Sequence, residues 1–297
     1  MSNKKIARGD TFSFELETRK NLGQNFLTDR SVLSQIIERA NQHALSTHRT
    51  CLEIGPGSGA LTRQLLEAGW SVVAIEKDSR AVAGLRESLA REFPGRLQIV
   101  EEDILKFNTT SLGSQLNQPS LCIGNIPYYI TSDIILWFLG RFGQFSAGIF
   151  MVQKEVGERL SSTPGHKDYG RLTVRTQLAC RVDYILTVPA AAFTPPPKVD
   201  SAVIELLPRS NLPFTSEELH EFEKFTAMLF SARRKMLRKT VQQAGREFFG
   251  LRLESDATDA LAQRASCQLS IRFTQRPEEL TPQQILSLYR LIKAEPK

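Results

Sequence analysis

Four consecutive residues, Asn125-Ile126-Pro127-Tyr128, have the types needed to grip a flat polar heterocycle. The Asn side-chain oxygen accepts a hydrogen bond from an exocyclic amine. Pro127 has no N–H and a fixed φ, so the turn is stiff and nearby carbonyls, that of Ile126 first, are left to point into a site. The Tyr128 ring offers a face for stacking. The four follow Leu121-Cys122-Ile123-Gly124, a run that reads as a buried strand. Taken alone they are equally well explained as a polar turn closing that strand, since short motifs recur by chance. Their meaning depends on the company they keep.

That company begins with Gly55-Pro56-Gly57-Ser58-Gly59, a tight turn between the strand Thr50–Ile54 and a helix from about Ala60 to Ala68. The spacing of Gly55, Gly57 and Ala60 satisfies a dinucleotide fingerprint, so a nicotinamide or flavin oxidoreductase has to be weighed. Glu76 ends the next strand, 23 residues after Glu53, where an acid grips ribose hydroxyls in doubly wound folds. Asp103 closes a third strand after Glu101 and Glu102 and can accept from an adenine amine. Asn25, inside Leu22-Gly23-Gln24-Asn25-Phe26-Leu27, reads singly as a loop polar. Phe193, held by the rigid run Pro195-Pro196-Pro197, reads singly as a core plug.

These residues need a scaffold that brings strand ends together. Asp29 caps a helix over about 29–42 whose apolar stripe is Val32, Leu33, Ile36, Ile37 and Ala40. Strands at 50–54, 71–75, 97–100 and 121–123 alternate with helices, including one over about 78–91. The pattern predicts a doubly wound, mostly parallel Rossmann-like sheet with right-handed crossovers and ligands at the carboxyl ends. A fifth strand is expected at 149–152, a charged helix start at 153–160, a loop at 161–171, and a helix or strand over 174–186. Pro208 to Pro213 reads as a linker. The division is therefore a basic arm (1–20), an α/β domain (21–207) and a smaller helical domain (208–297). The helical tail carries four of the six net positive charges. Arg233, Arg234, Lys235, Arg238 and Lys239 lie within seven residues that hold no acid, which suggests a phosphate-contacting face for RNA. Thr281-Pro282-Gln283-Gln284 is a capping box opening a last helix.

Composition sets the bounds. At 297 residues with 41% hydrophobic and 24% charged residues the chain is an ordinary globular protein. No apolar run approaches the ~20 residues that span a bilayer, and Met1-Ser2-Asn3-Lys4-Lys5 leads into no apolar secretory core. Cys51, Cys122, Cys180 and Cys267 form no CxxC pair or Cys/His cluster, so neither a metal site nor a disulfide framework is expected. A cytoplasmic protein with reduced thiols is the plain reading.

Together, LGQNFL, EIGPGSG, the strand-end Glu76 and Asp103, NIPYYIT, QKEV, YGRL and FTPPPKVDSAV closely resemble the KsgA (RsmA) family of small-subunit ribosomal RNA adenine dimethyltransferases. The resemblance runs from about Lys20 to the C-terminus. It implies a class I methyltransferase fold and S-adenosylmethionine as methyl donor. By this resemblance Asn25 and Leu27 close over the cofactor, Gly55 and Gly57 flank its amino-acid end, Glu76 takes the ribose hydroxyls and Asp103 the adenine. Asn125 touches cofactor and base. The mechanism read from the residues themselves has the Ile126 carbonyl sharing the target amine and Tyr128 and Phe193 sandwiching the base. The implied product is N6,N6-dimethylation of two adjacent adenosines in the 3′-terminal hairpin of 16S RNA, on the small subunit, by a monomer without metal or membrane. The arm is longer than usual for the family, and Tyr129 stands where some members have Asn.

Four rivals remain at this point. A large-subunit (23S) RNA dimethyltransferase of the antibiotic-resistance type shares the catalytic residues; Gly23 and the basic helical tail favour the small subunit. A DNA adenine methyltransferase lacks a visible sequence-reading module here. An oxidoreductase leaves Asn125 to Tyr128 unexplained. A subunit-assembly checkpoint, with methylation secondary, is the non-enzymatic reading.

Overall fold

The structure is a computed structural model that describes residues 25–44, 49–109, 120–231, 235–252 and 254–295. The basic arm, Leu22 to Gln24, Arg233 and Arg234 lie outside the described residues. The chain divides into two compact units. One runs through Gly157 and resumes over Val182–Pro208; the other holds Glu158–Arg181 and everything from Arg209 onward.

The first unit opens with β1 (Phe26–Leu27) and α1 (Arg30–Asn41). Asp29 caps α1 as expected: its Oδ1 accepts the N–H groups of Ser31 at 2.8 Å and Val32 at 3.1 Å. There follow β2 (Thr50–Ile54), α2 (Ala60–Glu67), β3 (Ser71–Glu76), α3 (Ser79–Glu87), α4 (Leu89–Glu92) and β4 (Leu97–Glu101). The helix expected over 78–91 is two helices, broken at Ser88, whose hydroxyl donates back to the Gly84 carbonyl at 2.6 Å. Next come β5 (Ser120–Asn125), α5 (Thr131–Leu139), β6 (Phe145–Gln153) and α6 (Lys154–Ser161). The ambiguous run 174–186 contains both possibilities, α7 (Arg171–Ala179) and β7 (Cys180–Val188), abutting with no turn residue between them. β8 (Phe193–Thr194) and β9 (Ser201–Pro208) complete the unit.

The main sheet has seven strands in the order β4-β3-β2-β5-β6-β9-β7. The pairs β2/β3, β3/β4, β2/β5 and β5/β6 are parallel; β9 lies antiparallel on β6. Helices cover both faces, so the inner strands are near-continuous apolar runs: Cys51, Leu52, Val72, Val73, Ile75, Leu121, Ile123, Ile149 and Phe150 are all buried. The strand order reverses between β2 and β5, which opens a crevice at their carboxyl ends. Glu205 on β9 is fully buried, and it is paired: Arg39 Nε donates to it at 2.8 Å and His43 Nε2 lies 2.7 Å away. These contacts tie α1 to the sheet at the cost of desolvating a carboxylate, which only such partners make tolerable.

The second unit contains α7, α8 (Ser216–Ser231), α9 (Leu237–Phe248), α10 (Ser255–Leu269) and α11 (Pro282–Lys293). Thr281 and Gln284 form the expected capping box on α11. Its core is aromatic: Tyr289 meets Phe222 and Phe225 at ring-centroid distances of 5.6 Å each. The single break expected at 207/208 assigned residues 158–181 to the sheet. The structure assigns them to the helices instead, because Tyr169 is buried in the helical core, its hydroxyl donating to the Leu280 carbonyl at 2.9 Å. Gly165 N–H reaches Glu278 O at 2.7 Å. Tyr169→Phe removes that buried donor and leaves Leu280 O short of a partner, so urea unfolding followed by far-UV circular dichroism should show a loss of about 1–2 kcal/mol. No helix among the described residues is long and apolar enough to cross a membrane.

Candidate active site

The crevice is walled by residues from the ends of β2, β3, β4 and β5. Gly124 makes the strands meet closely there: a Cβ on it would lie 2.5 Å from the Ile54 carbonyl oxygen, so no larger residue fits without backbone movement. Beyond β2, Gly57 adopts φ +55°, a conformation that favours glycine, and its open face receives the Phe26 ring.

Glu76 is 8% exposed at the end of β3. Its Oε2 accepts the Gly57 N–H at 3.1 Å, and its Oε1 accepts those of Lys77 and Asp78, each at 2.8 Å. Burial raises its pKa, while the three backbone donors work the other way. The carboxylate is thereby held in one orientation, with both lone pairs of Oε1 taken and one on Oε2 left for a hydroxyl donor. Asp103 faces the same space. Leu105 N–H donates to its Oδ1 at 3.1 Å and Lys77 Nζ to its Oδ2 at 2.8 Å. The Lys77 contact holds its carboxyl below the usual range.

On the far side, Ile126 N–H donates to Met151 O at 3.2 Å and anchors the turn after β5 to β6. The Tyr128 hydroxyl pairs with Ser201 Oγ at 2.6 Å, which fixes the ring, and burial raises the phenol pKa. Asn125 Nδ2 donates to the Asn25 carbonyl at 2.8 Å.

Asn25, Gly55, Gly57, Glu76, Asp103, Asn125, Ile126 and Tyr128 thus line one crevice. Leu27 and Phe193 do not. They are 4% and 3% exposed and face each other across the β1/β8 pair, inside the core. Strand alternation turns Phe26 to the crevice and Leu27 inward. Phe26 and Lys77 line the crevice and Ser201 holds the Tyr128 hydroxyl, and sequence reasoning missed all three. A two-residue strand gives no readable period, and neither the Lys77–Asp103 nor the Tyr128–Ser201 pairing has a local signal. Tyr129, 61% exposed, also borders the crevice.

In the helical unit, Lys235 and Lys239 are exposed, but Arg238 is bound to Asp259. The cationic run therefore has an acid after all, delivered by α10 rather than by sequence neighbours. Among the described residues no cluster of His, Cys, Asp and Glu has the makings of a metal site.

Comparison with known proteins points one way. A family model described as ribosomal RNA adenine dimethylase matches residues 15–269. The chain is 40% identical over 231 residues to a ribosomal RNA small subunit methyltransferase A of Paramagnetospirillum magneticum, covering 77% of this chain and 79% of that one. It is 41% identical over 228 residues to the protein of the same name from Caulobacter vibrioides, covering 76% and 85%. Among solved structures, a dimethyladenosine transferase from Plasmodium falciparum superposes with TM-score 0.71 at 26% identity over 89% of this chain and 95% of that one. The 23S rRNA methyltransferase ErmE gives 0.67 at 25% over 90% and 99%.

Proposed function

Because the chain belongs to the ribosomal RNA adenine dimethylase family, we propose that it dimethylates N6 of two adjacent adenosines in the 3′-terminal hairpin of small-subunit RNA, in the cytoplasm, during ribosome biogenesis. It is an S-adenosylmethionine-dependent ribosomal RNA adenine dimethyltransferase. The choice of the small subunit is supported by identities of 40% and 41% to small-subunit enzymes against 25% to the 23S enzyme.

The crevice suits this cofactor. Glu76, pinned by three backbone donors, presents the remaining lone pair of Oε2 to a ribose hydroxyl, Asp103 an acceptor for the adenine amine, and Ile54, Ile75 and Ile104 apolar walls for a flat ring. S-adenosylmethionine supplies an electrophilic methyl group. The chain supplies position and electrostatics. Adenine N6 is a poor nucleophile because its lone pair is delocalised into the ring. Asn125 Oδ1 and the Ile126 carbonyl accept its two protons and draw the nitrogen toward a tetrahedral geometry. The Tyr128 ring, locked by Ser201, stacks on the base once it leaves its helix. Phe193, opposite Leu27 on β8, packs behind β1. The proton is shed late from an acidic alkylated nitrogen, so no strong base is required.

The single observation that carries this reading is the meeting of Asn125-Ile126-Pro127-Tyr128 with Glu76 and Asp103 in one crevice. Purified unmethylated small and large subunits, incubated with labelled S-adenosylmethionine, test it. Label on the small subunit as N6,N6-dimethyladenosine is expected. Label on the large subunit would move the protein to the 23S type, and none on either would favour the assembly-checkpoint role. The exposed Lys235 and Lys239 are assigned to phosphate contact. Lys235→Glu with Lys239→Glu should weaken subunit binding and flatten its dependence on salt, by about one counterion per lysine, in filter binding across salt concentrations.

A further inference from the structure

We infer that the Asn25 main-chain carbonyl, held in place by Phe26, is the positioning group that sets the Asn125 amide in its working orientation. This rests on the reading of Asn125 as acceptor for the target amine. An Asn amide has two orientations, related by a half-turn, that exchange its oxygen and nitrogen. Here Nδ2 donates to Asn25 O at 2.8 Å. A carbonyl accepts and never donates, so the flipped amide would set two oxygens against each other. The contact therefore reserves Oδ1 for a donor in the crevice.

Two sets of contacts hold that carbonyl. The Asn25 C=O shares one rigid peptide plane with the Phe26 nitrogen and Cα, so it moves only as Phe26 moves. The Phe26 ring lies on Gly57 so closely that a Cβ there would fall 2.8 Å from ring Cε1 and 3.1 Å from Cδ1. Behind it, Leu27 sits in the core opposite Phe193. The Thr28 N–H, the Thr28 hydroxyl and the Asp29 N–H all donate to Ala192 O, at 2.8, 3.1 and 3.2 Å. Residues 26–29 are thus clamped between the glycine turn and the segment carrying β8. The same clamp touches the cofactor loop through a side chain and the base-reading amide through the backbone.

The test is spectroscopic first. In isotope-labelled protein with S-adenosylhomocysteine bound, the Asn125 side-chain amide signals, identified by their loss in Asn125→Ser, should include one downfield, slowly exchanging proton. Phe26→Leu should keep it and Phe26→Ala should lose it. At saturating cofactor, kcat for small-subunit methylation should fall about 10- to 100-fold in Phe26→Ala, as for a displacement of about 1 Å at a reacting centre, and stay within about threefold in Phe26→Leu. Replacing Phe26 by phenyllactic acid keeps every side chain but makes the Asn25 carbonyl a weaker ester acceptor; it decides the matter if Phe26→Ala does not fold, and kcat should drop several-fold. An unchanged Asn125 signal and unchanged kcat in Phe26→Ala, or an ester variant with full kcat, would overturn the inference. Wild-type protein that binds the cofactor yet labels no RNA would overturn the transferase reading instead, leaving the Asn125 signal to judge the clamp.

Discussion

Asn125→Ala should reduce methyl transfer to small subunits by about 10²–10³-fold at saturating cofactor, the effect of deleting one preorganised polar group from a reacting centre. The argument is geometric. Asn125 ends β5 at the point where the strand order reverses, and its amide is oriented by the Asn25 carbonyl. Alanine removes the acceptor for the target amine and the donor to Asn25 together. The surrounding turn survives, because Ile126 N–H still reaches Met151 O and Tyr128 still reaches Ser201. S-adenosylhomocysteine should therefore continue to bind, weakened by no more than about tenfold, since Glu76 and Asp103 are untouched. Single-turnover transfer of labelled methyl, with calorimetric binding of S-adenosylhomocysteine alongside, separates the two quantities. A variant that binds the analogue and still methylates at near wild-type rate would remove Asn125 from the chemistry.

Glu53→Gln should make the sheet unit more stable at alkaline pH by on the order of 4 kcal/mol while leaving it nearly unchanged in acid. Glu53 is 1% exposed on β2, and among the described residues its Oε2 has no hydrogen-bond partner. Burial pushes its pKa from 4.5 up to about 8, and the neighbouring Glu76 charge adds to the rise. Between those two values the folded protein keeps a proton that the unfolded chain has released. More protons are then bound in the native state, so stability falls as pH rises through the window, by at most about 1.4 kcal/mol per unit. Below about 4.5 both states are protonated and the contribution is complete; above about 8 it is gone. Glutamine cannot ionise, so its curve lacks this decline. Both tryptophans, Trp70 and Trp137, are buried in the sheet unit, and their fluorescence during urea unfolding from pH 5 to 9 reports on it alone. Parallel curves for the two proteins would show that Glu53 is already ionised at neutral pH.

Local signals carried the sequence a long way here. Runs such as Leu52–Ile54, Val72–Ile75 and Leu121–Ile123, spaced by helical segments, read as buried parallel strands. The loop Gly55–Gly59, the acid ending β3 and the Asn-Ile-Pro-Tyr turn each mark a strand end with a distinctive residue type. The capping residues Asp29 and Thr281 likewise act on N–H groups two or three positions away, so they are legible by eye. Where the sequence misled, the deciding contact lay far along the chain. Phe26 rather than Leu27 enters the crevice because β1 pairs with β8, Phe26 opposite Thr194 and Leu27 opposite Phe193, and that register sets which side chain turns inward. Phe193 is buried for the same reason. Residues 158–181 join the helices because Tyr169 finds Leu280, and Arg238 loses its free charge because α10 brings up Asp259. The residue types and their local spacing determined which groups can read an adenine and where the strands end. Only the tertiary structure decided which face each group presents and with whom its charge is shared, because register and long-range pairing are properties of the assembled sheet and bundle, not of any window of the chain.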